Sequence, residues 1–319
     1  MIWLVWRQHR IEAALMAGLL ALLGACLLAA DQAIRSRAAQ FGLGDCLAHY
    51  QTATCGVKVL EFNQSMIGLT LSGSVMGLKA LPALAGVFLG APLVAREVEQ
   101  GTHRVAWTQS VTRSRWLASH LIAVMGIVLV ASAVAQAAVN QVLFPVVDAQ
   151  DLSRGLIGRG RFQPLMFDAI GILPVAYTLF AVALGTSCGA LLRRTVGAMV
   201  LVLVLFVGVR VSVAFLARPN YMPAVTTTVA VEMPNEQFTG ANVPPGSWLI
   251  DSSAAQGNGN LGRVLCVMSP SPGCLDHYQV TYQPADRFWP FQLIESGIFL
   301  ALSLLLLHAT WLLVRRQTA

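Results

Sequence analysis

The sequence predicts an all-α membrane protein with six transmembrane helices, both termini cytoplasmic and a large last extracellular loop. Two observations support this prediction. Of the 319 residues, 56% are apolar and 11% are charged, whereas about 25% are charged in a typical soluble domain; the mean hydropathy is +0.65. The apolar residues also form blocks of about 20, the length that spans a hydrocarbon core of about 30 Å. A water-soluble globular protein is therefore excluded.

Six apolar runs between charged residues predict the spans and their orientation. An even number of spans puts both termini on one side, and the basic residues indicate which side. The segments predicted inside hold 10 Arg in 38 residues, whereas those predicted outside hold 10 Lys or Arg in 148. The positive-inside rule therefore predicts cytoplasmic termini in a plasma-membrane protein. The predicted spans are 11–30, 80–95, 117–139, 169–192, 196–216 and 288–314.

The segments between the spans have different predicted roles. Residues 1–10 read as an amphipathic helix at the inner interface and not as a secretory signal, since no cleavage motif follows the first span. Residues 31–79 and 217–287 are predicted extracellular loops, the latter extended and turn-rich with a strand at 225–231. Residues 65–78 read as an in-plane or re-entrant segment; the alternative is one long tilted helix.

Four cysteines fall as two close pairs in predicted outer loops. Thiols outside the plasma membrane meet an oxidising environment, so two short-loop disulfides are predicted. The alternative is four free cysteines. A metal site is less favoured, because no tetrahedral ligand spacing occurs around them. The predicted pairs are Cys46 with Cys55 and Cys266 with Cys274.

Motifs for chemistry in the chain itself are weak. Gly185, Ser187 and Gly189 match the G-x-S-x-G pattern of serine hydrolases, but a nucleophile elbow needs a strand, a turn and a helix. Within an apolar helix the two glycines instead predict a small-residue packing face. The only lysines, Lys58 and Lys79, do not follow a glycine, which removes a P-loop. Energy for any uphill transport must come from a partner or an ion gradient.

Two charged residues fall inside the predicted spans. Arg210 lies 16 residues after Arg194 and Glu295 lies 20 residues before Arg315, so at about 1.5 Å per residue they are about 24 and 30 Å from the inner boundary. Both are therefore predicted near the outer boundary. They either form a pair that joins the last two helices or reach the headgroups separately.

The segment 96–115 is the only sizeable predicted cytoplasmic loop. It begins with Glu97 and Glu99, continues with Gly101 and Thr102, and then mixes apolar with basic residues. A short interfacial helix of this kind would offer a rigid handle to a cytoplasmic partner. The alternative is a solvated basic loop without a partner.

The sequence resembles the membrane subunit of ABC exporters of the ABC-2 class. The pattern Glu97-x-Glu99-x-Gly101-Thr102 after the second span carries the resemblance. More narrowly, the opening residues 6–10, the run 106–110 and the closing segment 282–292 followed by Glu295 are similar to a group of actinobacterial permeases of about this length.

The resemblance implies a function for the whole chain. Residues 1–319 would be one transmembrane domain, working as a homodimer among membrane lipids with a separate ATPase subunit that binds ATP and Mg. Glu97, Glu99, Gly101 and Thr102 would couple it to that ATPase. The implied activity is export of an amphipathic drug, antibiotic or lipid, with no catalysis, cofactor, metal or nucleic acid in this chain. The alternative function is a non-transporting sensor or immunity protein whose outer loops bind a ligand.

Overall fold

The computed structural model describes residues 66–99, 113–152, 161–232, 246–254 and 275–316, with isolated positions at 244 and between 29 and 42. Several predictions fall outside these residues: the interfacial helix 1–10, the first span, Gly101 and Thr102 of the coupling loop, and the proposed disulfides of Cys46, Cys55, Cys266 and Cys274.

The described residues are mostly helical, as the sequence predicts. A π-helical turn, Gly86–Gly90, joins the first two helices, and Pro164–Phe167 is a single short helical turn. Among the described residues, five helical stretches are long and apolar enough to cross a membrane: Val75–Ala95, Leu121–Pro145, Leu173–Leu192, Thr195–Asn220 and Ala285–Leu313. The helices are α1 (Met66–Ala85), α2 (Ala91–Glu99), α3 (Arg113–Leu152), α4 (Pro164–Phe167), α5 (Leu173–Leu192), α6 (Thr195–Ser212) and α7 (Phe288–Arg316).

Two helices are longer than predicted. The in-plane segment predicted at 65–78 is wrong, because α1 runs without interruption from Met66 through this stretch and into the π-helical turn. The long-helix alternative describes this segment. Likewise, α3 continues to Leu152 and contains Pro145. In apolar surroundings, the polar groups of the backbone are best satisfied by hydrogen bonds within the helix. Gly, Ser and even Pro therefore do not end these helices.

Helix α5 lies at the centre and packs against α1, α2, α3, α6 and α7. Its contact with the α1–α2 segment is backbone to backbone. A Cβ added to Gly86 would lie 2.5 Å from the Ala181 carbonyl oxygen, and one added to Gly189 would lie 2.5 Å from the Ala91 carbonyl oxygen. Gly185 meets the backbone of Gly86 in the same way. The predicted small-residue packing face is confirmed.

A three-stranded antiparallel sheet follows α6. Its strands are β1 (Val225–Glu232), β2 (Trp248–Ala254) and β3 (Leu275–Gln283), in the order β1-β3-β2. The predicted strand at 225–231 is confirmed, whereas β2 and β3 were not anticipated. Trp248 stacks on Phe162 with ring centroids 6.1 Å apart, and Gln283 Nε2 donates to the Met222 carbonyl at 2.8 Å. We call the adjoining end of the helices the sheet end and the opposite end the far end.

Candidate functional site

Five charged side chains meet at the sheet end and form what we call the ionic cluster. Two tyrosines complete it, and the members come from α1, the turn before α5, α5, α6, the segment after α6, and α7. Three cations and two carboxylates thus lie among apolar helices. The ionic cluster consists of Lys79, Asp168, Arg210, Arg218 and Glu295, with Tyr177 and Tyr221.

Glu295 and Arg218 are the most deeply buried pair. The Glu295 side chain is 1% exposed. Arg218 donates from Nε to Oε2 and from Nη2 to Oε1, both at 2.8 Å, and such two-point contacts are among the strongest that Arg makes. Tyr177 donates to Oε1 at 2.6 Å and Tyr221 to Oε2 at 3.3 Å. All four contacts satisfy a charge that would otherwise be very costly to bury.

Asp168 accepts contacts from all three cations. Its Oδ1 lies 2.7 Å from Arg218 Nη2, and its Oδ2 lies 2.8 Å from Arg210 Nη2 and 2.9 Å from Lys79 Nζ. Burial by itself would raise the pKa of Asp168, but the positive charges of Arg218, Arg210 and Lys79 outweigh it and lower that pKa. Asp168 is therefore ionised and neutralises part of the positive charge around it.

The structure places both predicted span charges in this cluster but gives them different partners. Arg210 is paired with Asp168, and its guanidinium lies 4.0 Å from the ring centroid of Tyr177. Glu295 is paired with Arg218 instead. Two residues outside the predicted spans thus supply the partners: Asp168 in the turn before α5, and Arg218 on the helical continuation of α6. Each of the two charges therefore has an oppositely charged side chain as its partner.

Sequence reasoning assigned no role to Asp168 or Arg218. One signal was available for Arg218, which lies eight residues after Arg210, a spacing that keeps two residues near one helical face. The helical path does continue through the π-helix Val213–Ala217 to Arg218. Asp168 carried no such signal, because its position depends on a turn held by distant helices.

An amide from α7 holds one side of that turn. Gln292 Oε1 accepts from Leu173 N at 3.1 Å and from Ile172 N at 3.3 Å, while its Nε2 donates to the Phe167 carbonyl at 2.9 Å. The two N–H groups lie at the start of α5 and the Phe167 carbonyl lies at the end of α4, and helical partners are missing at both places. The side chain therefore substitutes for the missing hydrogen bonds on both sides of Asp168.

Two amides from α3 hold the other side. Gln136 Nε2 donates to the Ala169 carbonyl at 2.8 Å. Asn140 accepts from Gly171 N at 2.9 Å and donates to the Gly171 carbonyl at 3.0 Å. Gly171 has a φ of +78°, which favours glycine. The position of Asp168 is thus fixed jointly by α3 and α7.

A second contact of interest lies at the far end, where α2 ends. Glu99 Oε2 accepts from Thr195 Oγ1 at 2.6 Å and from Thr195 N at 3.3 Å. These hydrogen bonds from Thr195, together with the charge of Arg194, lower the pKa of the exposed Glu99. Glu99 therefore caps the start of α6 from another helix. The Glu97 side chain, Gly101 and Thr102 lie outside the described part of the chain.

The serine of the G-x-S-x-G pattern makes a helix-packing contact. Ser187 Oγ lies 2.9 Å from the Ala183 carbonyl of its own helix and 2.8 Å from Thr310 Oγ1 of α7. Interhelical contacts of this kind stabilise membrane helix pairs modestly. Ser187 sits inside a continuous helix and not on a strand-to-helix turn.

The fold and the site define an integral membrane protein in which apolar helices surround a central helix and enclose buried charges. Within the described residues, no group of three or more His, Cys, Asp or Glu side chains is placed to hold a metal ion.

The chain belongs to a known family of membrane transport components. A family model described as ABC-2 membrane transporter related matches residues 17–218, which cover α1 to α6. The match ends at Arg218, so the sheet, α7 and Glu295 lie beyond it. No curated protein and no solved structure gives a significant match.

Proposed function

We propose that this chain is the permease subunit of an ATP-driven exporter in the plasma membrane. It moves an amphipathic compound, such as a drug, antibiotic or lipid, out of the cell. Two copies form a homodimer with a separate ATPase that binds ATP and Mg, and this chain is not itself an enzyme. The observation that carries the proposal is the family match over residues 17–218. The five helices of membrane-spanning length and composition among the described residues support it. The narrower actinobacterial resemblance stays a prediction.

The contact between Glu99 and Thr195 supports a route for coupling. The predicted coupling loop continues directly from Glu99, the last residue of α2. Because Glu99 is bonded to the first residue of α6, a force applied to that loop moves α2 and α6 together. Glu97, Glu99, Gly101 and Thr102 are the proposed coupling residues.

The same helix connects the far end to the ionic cluster. Arg210 lies 16 residues after Arg194, hence about 24 Å along α6. A shift of α6 along its axis changes the contact between Arg210 and Asp168. We infer that the ionic contacts of the cluster hold the helices together on the outer side. These contacts break when the ATPase pair closes at the far end.

The test begins with affinity purification of the full chain from its native membrane. An ATPase with a P-loop should co-purify, and the complex in proteoliposomes should accumulate an amphipathic dye in an ATP-dependent way. A chain that purifies alone and binds a ligand through its loops would support the sensor or immunity alternative and contradict the proposal.

Coupling is tested in the same complex with Glu97→Ala and Glu99→Ala combined, and with Thr195→Val. Both variants should keep ATP hydrolysis but lose most ATP-dependent transport. Ser212→Ala is the matched control, because the one hydrogen bond of this exposed α6 hydroxyl within the described part of the chain goes to the Gly208 carbonyl of its own helix. Normal transport by the double variant would contradict the proposed coupling role of Glu97 and Glu99.

A further inference from the structure

The ionic cluster carries more positive than negative charge. Three cations, Lys79, Arg210 and Arg218, face two carboxylates within the described residues. Glu295 is fully occupied by Arg218 and two tyrosine hydroxyls. The excess charge therefore resides with Lys79 and Arg210, which share the single oxygen Oδ2 of Asp168.

Lys79 and Arg210 also have hydrogen-bonding capacity to spare. A lysine ammonium has three N–H donors and an arginine guanidinium has five. Among the described residues, Lys79 contacts Asp168 and the Pro164 carbonyl, and Arg210 contacts Asp168 and the Lys79 carbonyl. Partially desolvated donors that carry excess positive charge favour an anionic partner.

These two cations are the accessible members of the cluster. Their side chains are 22% and 13% exposed, whereas those of Asp168, Arg218 and Glu295 are 8%, 6% and 1% exposed. The helix surfaces beside them are apolar and exposed. A ligand that reaches Lys79 and Arg210 from this surface meets charge at one point and hydrocarbon around it. The exposed apolar neighbours in sequence are Met76 and Leu81 on α1 and Val207 and Val211 on α6.

We propose that Lys79 and Arg210 bind the anionic head of an amphiphile, a phosphate or carboxylate group attached to an apolar tail. Asp168 holds the two cations in place. It also limits their affinity for the anionic head, because its negative charge neutralises part of their positive charge. Resting on the proposed function, this inference narrows the cargo from amphipathic compounds in general to anionic ones.

The variants change the cluster charge in opposite directions. Lys79→Gln removes the excess charge and leaves the buried pair of Arg218 and Glu295 intact. Asp168→Asn removes one negative charge, so the net charge of the cluster becomes more positive by one. Arg194→Gln is the control, because it removes an exposed arginine from the other end of the same helix. Size-exclusion chromatography and thermal unfolding establish that each variant is folded.

Binding is measured on the full chain in phosphatidylcholine nanodiscs, with probes that share one tail. Decyl phosphate should bind at least tenfold more tightly than neutral decyl glucoside. Lys79→Gln should lower the affinity for decyl phosphate by about tenfold, equivalent to about 1.4 kcal/mol. Asp168→Asn should raise this affinity, and Arg194→Gln should leave it unchanged. Equal affinities for the two probes, or no loss in Lys79→Gln, would overturn the inference.

Two further arms identify the source of the anion. Inorganic phosphate should bind much more weakly than decyl phosphate; equal binding would overturn the role of the tail. Decyl phosphate should stimulate ATP hydrolysis by the reconstituted complex, and this stimulation should be lost in Lys79→Gln. Binding without stimulation would mean a resident membrane lipid and would overturn the cargo assignment.

The binding measurement needs no ATPase, so the two proposals fail separately. A functional exporter whose permease does not prefer the anionic probe refutes only the cargo class. A permease that prefers the anionic probe but has no ATPase partner refutes the proposed function and, with it, the cargo assignment.

Discussion

Adding one methyl group at Gly185 tests the central helix contact directly. In Gly185→Ala the new Cβ would lie 2.7 Å from both Ala91 N and Gly90 Cα. Ordinary carbon contacts lie at about 3.5–4.0 Å, so α5 and the α1–α2 segment must separate by about 1 Å. The obstructing atoms are backbone and have no rotamer with which to move away.

Overpacking of this kind costs about 1–3 kcal/mol. The control is Gly208→Ala, because a Cβ at Gly208 meets nothing within 4 Å. There the same change removes a helix-weakening glycine and should stabilise the chain by about 0.5–1 kcal/mol. The free energies of unfolding of the two glycine variants should therefore differ by about 1.5–4 kcal/mol.

Reversible unfolding of the purified full chain in mixed detergent micelles measures this difference. Gly189→Ala should behave like Gly185→Ala, since its Cβ would lie 2.5 Å from the Ala91 carbonyl oxygen. Equal stability of Gly185→Ala and Gly208→Ala would show that these helices are not in backbone contact and would refute the packing described above.

Four other predictions follow from the site and the sequence. Arg218→Gln leaves the buried Glu295 carboxylate without its counter-charge and should lower the free energy of unfolding by about 3–5 kcal/mol. In double-mutant cycles, Glu295 should have a larger coupling energy with Arg218 than with Arg210. The reverse ranking would contradict the observed pairing. Because the Glu99 pKa is lowered from 4.5 in the folded state, its link to α6 stabilises the protein above that pH and is lost as the pH falls through the lowered pKa; Glu99→Gln should remove this part of the acid dependence of thermal stability. Gln292→Leu leaves backbone groups beside Asp168 unpaired and should cost about 1–3 kcal/mol for each group, measured by the same unfolding assay; an unchanged stability would deny the role of this amide. Mass mapping of non-reduced peptides should find two disulfides, each stabilising by roughly 3 kcal/mol or less, and free alkylation of all four thiols would contradict them: Cys46 with Cys55 and Cys266 with Cys274.

Several features could be predicted because they depend on short stretches of chain. Of the six predicted spans, five correspond to helices in the described part of the chain that are long and apolar enough to cross a membrane. Length and hydropathy decide whether a segment can cross a hydrocarbon core. The strand at Val225 followed from a local run of β-branched residues. The packing role of Gly185 and Gly189 followed from their spacing on one helical face.

Helix ends were harder to predict. The sequence suggested a break before Lys79, but α1 passes through it. In an apolar environment, leaving backbone groups unpaired costs more free energy than keeping Gly and Ser in a helix. Composition alone therefore misplaces such helix ends. Strands β2 and β3 were missed because each is stabilised by pairing with a segment far away in the chain.

From the sequence alone, Arg210 and Glu295 could be placed in predicted spans near the outer boundary, where each needs a counter-charge or access to the headgroups. The counter-charges themselves became visible only in the folded chain. Asp168 reaches Arg210 because amides from α3 and α7 hold its turn, and Arg218 reaches Glu295 because the helical path of α6 continues through Val213–Ala217. The need for a counter-charge follows from the local cost of burying an ion. Its identity depends on how distant segments pack together, and Arg218 and Glu295 are 77 residues apart in the chain.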